Sequence, residues 1–238
     1  NPNTGSTSSS ACGNADAGHY VSSTGQSAQT AASAGHHVPT SGQSSQTACS
    51  AGTYQPDTGQ DDCAAADLGY YVPATGQSTQ TECAIGTYQA TTGQSSCDEA
   101  DAGYYVSSTG QSTQTVCAVG TYQPISGQTD CSDANAGYYV PQTGQSSQIA
   151  CSTGTYQSLT TQSSCDAADI GSYVSAVGQS TQTACPNGDS TITTGSNSPT
   201  QCISDFDNDA VVDLLDSDDD NDGVSDLTDQ CLTADFNL

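Results

Sequence analysis

The stretch GTYQPDTGQ at 52–60 returns seventeen residues later as GYYVPATGQ at 69–77, and this recurrence decides the fold class. The unit reads G-x-(Y/H)-x4-G-Q. Its first glycine stands at 18, 35, 52, 69, 86, 103, 120, 137, 154, 171 and 188. The second stands at 25, 42, 59, 76, 93, 110, 127, 144, 178 and 195, and Thr161 is the one break in that series. Eleven units of seventeen residues therefore run from about 15 to 202. Within a unit, Tyr-Tyr-Val or Thr-Tyr-Gln is strand-prone, and Pro-x-Thr-Gly is a turn signal whose Gly accepts φ > 0. The Gln-Ser-x-Gln-Thr that follows reads as a polar return strand, so each unit is predicted to be a small hairpin. One two-stranded hairpin is marginal in water, so the units must be stacked or cross-linked. Tyr at the same place in successive units offers a lengthwise aromatic ladder in place of a core.

Composition agrees that an ordinary core is absent. Leu, Ile, Val and Phe total 27 of 238 residues, with no Trp and no Met, fewer than a globular domain uses. Lys and Arg are absent against 26 Asp and Glu, for a formal charge of −26. A chain without those cations cannot neutralise phosphates, which excludes nucleic acid as a partner and an electrostatic grip on an anionic membrane. No apolar run reaches the roughly 18 residues of a membrane-spanning helix, so no membrane insertion is expected. There is no initiator Met, basic n-region or signal core at the start, so the chain reads as a mature product or a piece of a longer one. No nucleophile, base and orienting group can be assembled, and no phosphate-cradling loop occurs. The chain is not expected to be an enzyme.

Twelve Cys in such a chain point to an oxidising compartment and disulfide staples. A metal role for them is disfavoured, because there is no C-x-x-C pair and there are only three His. Cys49, Cys63, Cys83, Cys97, Cys117, Cys131, Cys151, Cys165 and Cys185 alternate at spacings of 14 and 20, which leaves two pairings of neighbours open. The irregular ends favour closure of the short units. The units at Gly18 and Gly35 are both long, with Ala32 and no Cys between them, and short-unit closure leaves nothing missing there. The bonds would then be Cys49–Cys63, Cys83–Cys97, Cys117–Cys131, Cys151–Cys165 and Cys185–Cys202, the last spanning three extra residues in TGSNSPTQC. The opening NTGSTSSSAC matches that tail, so residues 1–14 read as a truncated unit ending near Cys12.

The pattern C-x2-G-T-Y…C followed by A-D-x-G-Y-Y-V…C resembles the cysteine-rich repeats of the ephrin-receptor-like family, related in style to tumour-necrosis-factor-receptor and EGF-like modules. The resemblance covers most of 1–202 and implies an elongated extracellular rod without catalysis. The predicted fold is thus small, disulfide-rich and mostly β or irregular. It is a rod of stacked seventeen-residue hairpins, paired into 34-residue repeats and followed by a calcium-loop tail. The strict register keeps a disulfide-clipped β-solenoid as the alternative.

Composition shifts after Cys202: residues 203–238 hold twelve Asp. Counted from Asp218, carboxylates fall at loop positions 1, 3, 5, 9 and 12, namely Asp218, Asp220, Asp222, Asp226 and Asp229. Gly223 occupies position 6, where a calcium loop needs a sharp turn, and Val224 offers its carbonyl at position 7. A second loop precedes it, with Asp205, Asp207, Asp209, Asp213 and Asp216 at the same positions and Val211 at position 7. Ala210 replaces its turn Gly, which is expected to cost strain and affinity. So many hard oxygens favour Ca²⁺ over Zn²⁺ or copper. An EF-hand fails on its flanks, since SNSPTQCIS before Asp205 carries Pro and Cys and position 12 is Asp. The competing reading is a disordered acidic linker. The array resembles thrombospondin type 3 calcium repeats, which implies that Cys231 pairs with a Cys beyond this chain.

Smaller signals have plain readings. His19, His36 and His37 fill slots that hold Tyr elsewhere, so a ring replaces a ring. Asp16, Asp67, Asp101 and Asp169 recur before Gly in long units and read as turn caps. The density of Ser and Thr permits O-linked glycans. The expected function is that of a non-catalytic extracellular or cell-surface structural protein: a disulfide-stapled, calcium-rigidified rod serving as stalk or filament subunit. Its partners would be calcium ions and copies of itself or flanking repeats, with Cys12 and Cys231 as candidates for inter-subunit bonds. The rival class is an adhesin or receptor ectodomain whose Tyr- and Gln-rich faces bind a carbohydrate or protein.

Overall fold

The structure, a computed structural model, describes residues 13–207, 209–221 and 223–227. Among the described residues twenty strands of two residues each follow one another, and every sheet has two strands. The chain forms two compact units. One comprises residues 1–115 and 125–130, the other 116–124 and 131–238.

In the first unit, antiparallel hairpins join His19–Tyr20 to Thr30–Ala31, His36–His37 to Thr47–Ala48 and Thr53–Tyr54 to Ala64–Ala65. Tyr70–Tyr71 to Thr81–Glu82 and Thr87–Tyr88 to Asp98–Glu99 continue the series. In the second unit the pairs are Thr121–Tyr122 with Ser132–Asp133 and Tyr138–Tyr139 with Ile149–Ala150, then Thr155–Tyr156 with Asp166–Ala167 and Ser172–Tyr173 with Thr183–Ala184. The outgoing strand is the predicted aromatic one. The return strand is shorter and later than the sequence suggests: Gln-Ser-x-Gln bends, and only the closing Thr, as in Thr81, enters the ladder.

Backbone bonds stack one hairpin on another within each unit. Gly52 N–H donates to the Val72 carbonyl at 2.8 Å, and Gln55 N–H to the Gln77 carbonyl at 3.2 Å. The turn glycine reaches back two repeats: Gly59 N–H donates to the Ala32 carbonyl at 2.8 Å, and in the second unit Gly178 N–H to the Cys151 carbonyl at 2.8 Å. These are separate bonds rather than one continuous ladder, so the repeats form a stack of hairpins rather than the alternative β-solenoid. The stacking is close enough to exclude a side chain. A Cβ on Gly52 would lie 2.2 Å from the Gly93 carbonyl oxygen, and Gly52 has φ +86°. Glycine is required there both for space and for backbone conformation.

The core is a thin column of small side chains, not an aromatic ladder. Ala32, Cys49, Ala66, Cys83 and Ala100 in the first unit, and Cys117, Ala134, Cys151 and Ala168 in the second, occupy one slot every seventeen residues and are fully or almost fully buried. A second slot alternates Val72 and Val106 with the buried Gln89, and Val140 and Val174 with Gln123 and Gln157. Gln89 keeps its polar atoms satisfied: its Nε2 donates to the Ser96 carbonyl at 2.9 Å and its Oε1 accepts the Thr91 N–H at 3.0 Å. The tyrosines are only half-buried. The rings lie at the side of the stack, as Tyr138 does against the Gly178 turn, and the buried slots go instead to Ala, Cys, Val and Gln.

Closure of the hairpins alternates. Disulfides join Cys49–Cys63, Cys83–Cys97, Cys117–Cys131 and Cys151–Cys165, each 14 residues apart, and Cys185–Cys202, 17 apart. In the long repeats Gln stands in the slot of the second Cys. Gln80 Oε1 accepts the Asp67 N–H at 2.7 Å while its Nε2 donates to Asp67 Oδ2 at 2.6 Å. Gln29 with Asp16, Gln114 with Asp101 and Gln182 with Asp169 form the same two-bond clasp. Gln46 and Gln148 make only its first half, to Ser33 and Asn135, whose side chains offer no carboxylate. The recurring Asp residues are therefore not simple turn caps. Each is gripped by a Gln thirteen residues on.

The last repeat, spanned by Cys185–Cys202, adds a different finish. Pro199–Gln201 is a 3-10 turn capped by Ser198, whose Oγ accepts the Thr200 N–H, and Ser190 bridges Ile203. Gly171 N–H, which elsewhere would meet a backbone carbonyl, donates instead to Thr191 Oγ1 at 3.1 Å. The Asp-rich loops follow directly within the same unit.

Candidate metal-binding loops

The two loops share one construction, offset by thirteen residues. In the first, Phe206 N–H donates to Asp213 Oδ1 at 2.8 Å, Ala210 N–H to Asp205 Oδ2 at 3.1 Å, and Asp213 N–H to the Ser204 carbonyl at 3.0 Å. In the second, Asp219 N–H donates to Asp226 Oδ1 at 2.9 Å, Gly223 N–H to Asp218 Oδ2 at 3.0 Å, and Asp226 N–H to the Ser217 carbonyl at 2.9 Å. Position 9 thus ties down the loop entrance, and position 1 holds the turn at position 6. Both turns need the left-handed region: φ is +75° at Ala210 and +89° at Gly223. Ala210 adopts the conformation that the sequence assigned to glycine, and it does so with a Cβ.

One oxygen of each position-1 carboxylate is used in this way, and the other is left over. Asp205 is 5% exposed. Its Oδ1 is buried and has no hydrogen-bond partner, and the same holds for Asp218 Oδ1 and Asp219 Oδ1. Carboxylate oxygens of Asp205, Asp207 and Asp209 lie within 4.8 Å of one another. Burial pushes the Asp205 carboxyl above its usual range; the Ala210 N–H opposes that and the neighbouring Asp207 and Asp209 charges add to it. Asp219 is likewise raised, first by burial and then by Asp226, Asp213, Asp216 and Asp207. Crowded carboxylates with orphaned oxygens and no nearby cationic side chain match the donor chemistry of a hard divalent ion.

Of the sequence-selected ligands, Asp205, Asp207 and Asp209 converge. Asp213 and Asp226 spend an oxygen on the loop entrances, and Asp216 Oδ1 accepts the Ser217 and Asp218 N–H groups at 2.6 and 3.1 Å. Asp218 holds the second turn, Asp220 is half-buried, and Val211 and Val224 are exposed at position 7. Asp222, Asp229, Cys12 and Cys231 lie outside the described residues. The histidines stand in strands: the Nδ1 of His19 and His36 lies 3.5 and 3.3 Å from the Ala17 and Ala34 carbonyls, and that of His37 lies 3.3 Å from the Asp61 carbonyl. Asp219 and Asn221 escaped the sequence reading because loop positions 2 and 4 carry no ligand in the pattern used.

No protein-family model and no curated protein sequence matches the chain. No helix among the described residues is long and apolar enough to cross a membrane. What the structure defines is a class, a disulfide-rich protein of repeated β-hairpins. Regular staples of this kind are consistent with an extracellular structural protein.

Proposed function

We propose that this protein is a non-catalytic structural element of the extracellular space or cell surface, a rod-like stalk or filament subunit whose acidic loops bind Ca²⁺. The resemblance to ephrin-receptor-like and thrombospondin type 3 repeats supports this reading. The observation that carries it is the buried, unpartnered Oδ1 of Asp205 beside Asp207 and Asp209. A buried ionised oxygen without a donor is costly, and a bound cation removes that cost. Asp205, Asp207, Asp209 and Asp216 would hold one ion, and Asp218, Asp220 and Asp222 would contribute to another. The ions supply positive charge, which collapses loops that otherwise repel.

Repeat-to-repeat sameness favours a scaffold, since a ligand site would break the pattern. Calorimetry at millimolar Ca²⁺ tests the reading together with electron microscopy before and after chelation. Heat of binding, with fibres or rods that loosen on chelation, is the expected result. No binding at millimolar Ca²⁺ overturns the calcium assignment.

A further inference from the structure

The two acidic loops are tied to each other in both directions, in a way that neither loop needs for its own turn. From the second loop, Asn221 Nδ2 donates to Asp207 Oδ2 in the first. The other oxygen of Asp207 accepts the Asp209 N–H at 3.0 Å. Both oxygens of this ligand are therefore oriented, one by its own loop and one by the next. Asn221 is itself held by the second loop: its N–H donates to the Asp218 carbonyl at 3.0 Å, with φ +53°. In the opposite direction, Asp216 closes the first loop and accepts the N–H groups of Ser217 and Asp218, where the second loop begins.

We propose that the first metal site is composite: Asn221 of the second loop is a positioning residue for Asp207, so that filling the second loop prepares the first. The proposal rests on the reading of these loops as cation sites, for which the independent sign is the orphaned Asp205 Oδ1 in a residue 5% exposed.

The physical argument concerns order. An empty acidic loop samples many conformations because its charges repel. An ion in the second loop fixes Asp218 and, through its carbonyl, Asn221. Asn221 then holds Asp207 where the first ion needs it, and Asp218 holds Asp216. The first ion thus meets ligands already ordered and loses less free energy to ordering them. Linkage requires the effect to be reciprocal, and couplings of this kind run from about 5-fold to 150-fold in affinity. The arrangement also explains how the first loop tolerates Ala210 in a strained turn: part of its order is supplied by its neighbour.

The test is site-resolved. Amide resonances of Ala210 and Gly223 report the two turns separately during Ca²⁺ titration of the full chain. Asn221→Gly removes the side-chain amide while keeping a residue at ease at positive φ. It is expected to weaken the Ala210 transition about 5-fold or more, and to leave within about twofold the Gly223 transition, which comes first because the second loop keeps its turn Gly and fills while the first is empty. Asp218→Asn, which disables the second loop, is expected to weaken the Ala210 transition at least as much. An Ala210 transition that neither substitution moves overturns the proposal while leaving two independent calcium sites. If neither resonance responds to Ca²⁺ in the unsubstituted protein, the calcium reading beneath it falls instead.

Discussion

The hairpins that begin at Gly52 and Gly69 share a register, a turn and a set of stacking bonds, yet different chemistry closes them. In the first, Cys49 and Cys63 form a covalent bond. In the second, Gln80 grips the backbone and carboxylate of Asp67. The difference teaches that the fold demands a closed base and does not dictate the bond that closes it. A disulfide acts on the unfolded chain, removing conformations it would otherwise explore. The clasp acts only in the folded state and opens with it. The array therefore alternates repeats that stay shut with repeats that can breathe.

Removing the covalent half should have the largest effect. A bond closing about fifteen residues contributes about 3 kcal/mol on the chain-entropy account. Replacing Cys151 and Cys165 together by Ser is expected to cost on that order, measured by denaturant unfolding. Full reduction should abolish the β signal in circular dichroism, and an unchanged spectrum would show that stacking alone suffices. The clasp comes next. Gln114→Ala breaks two bonds to Asp101 at an exposed site, with an expected cost of about 1–2 kcal/mol. Hydrogen exchange should rise chiefly in the hairpin that Gln114 closes. A loss equal to that of the double Cys variant would erase the distinction between the two closures. The smallest effect concerns the shared turn. Thr161 holds φ +63° where other repeats have Gly, so Thr161→Gly should stabilise by about 1 kcal/mol. No gain in melting temperature would mean that the Thr161 side chain contributes as much as its backbone strain costs.

Much of this architecture was legible before any coordinates. Both glycine series mark positions of positive φ, most of the first also marks contact too close for a Cβ, and these requirements write Gly into the chain at fixed spacing. The pair of long units at Gly18 and Gly35 pointed to the short-unit disulfides that the structure contains. The role of Gln80 was harder to see. Gln is abundant and reads as a surface strand residue, and only superposing units puts it in the column of Cys63. That oversight also placed the return strand too early, because Gln80 bends away from the ladder to reach Asp67. The core was missed for a related reason. Ala and Cys do not signal burial as Tyr does, yet they alone fill the buried slot that recurs from Ala32 to Ala168. In the acidic loops the positions of carboxylates were visible, whereas the bond from Asn221 to Asp207 joins separate loops, and no spacing rule describes it.

Alternating closure has a consequence for how such a gene can lengthen or shorten. Four of the five disulfides span 14 residues, so among those repeats a duplication or deletion of 34 residues adds or removes one bond whole and strands no thiol. Adding one whole clasped repeat of seventeen residues, with its ends outside a Cys pair, sets two long repeats side by side, as at Gly18 and Gly35, and leaves the disulfides intact. Copy number can therefore drift by recombination while oxidative folding in each copy stays a local event.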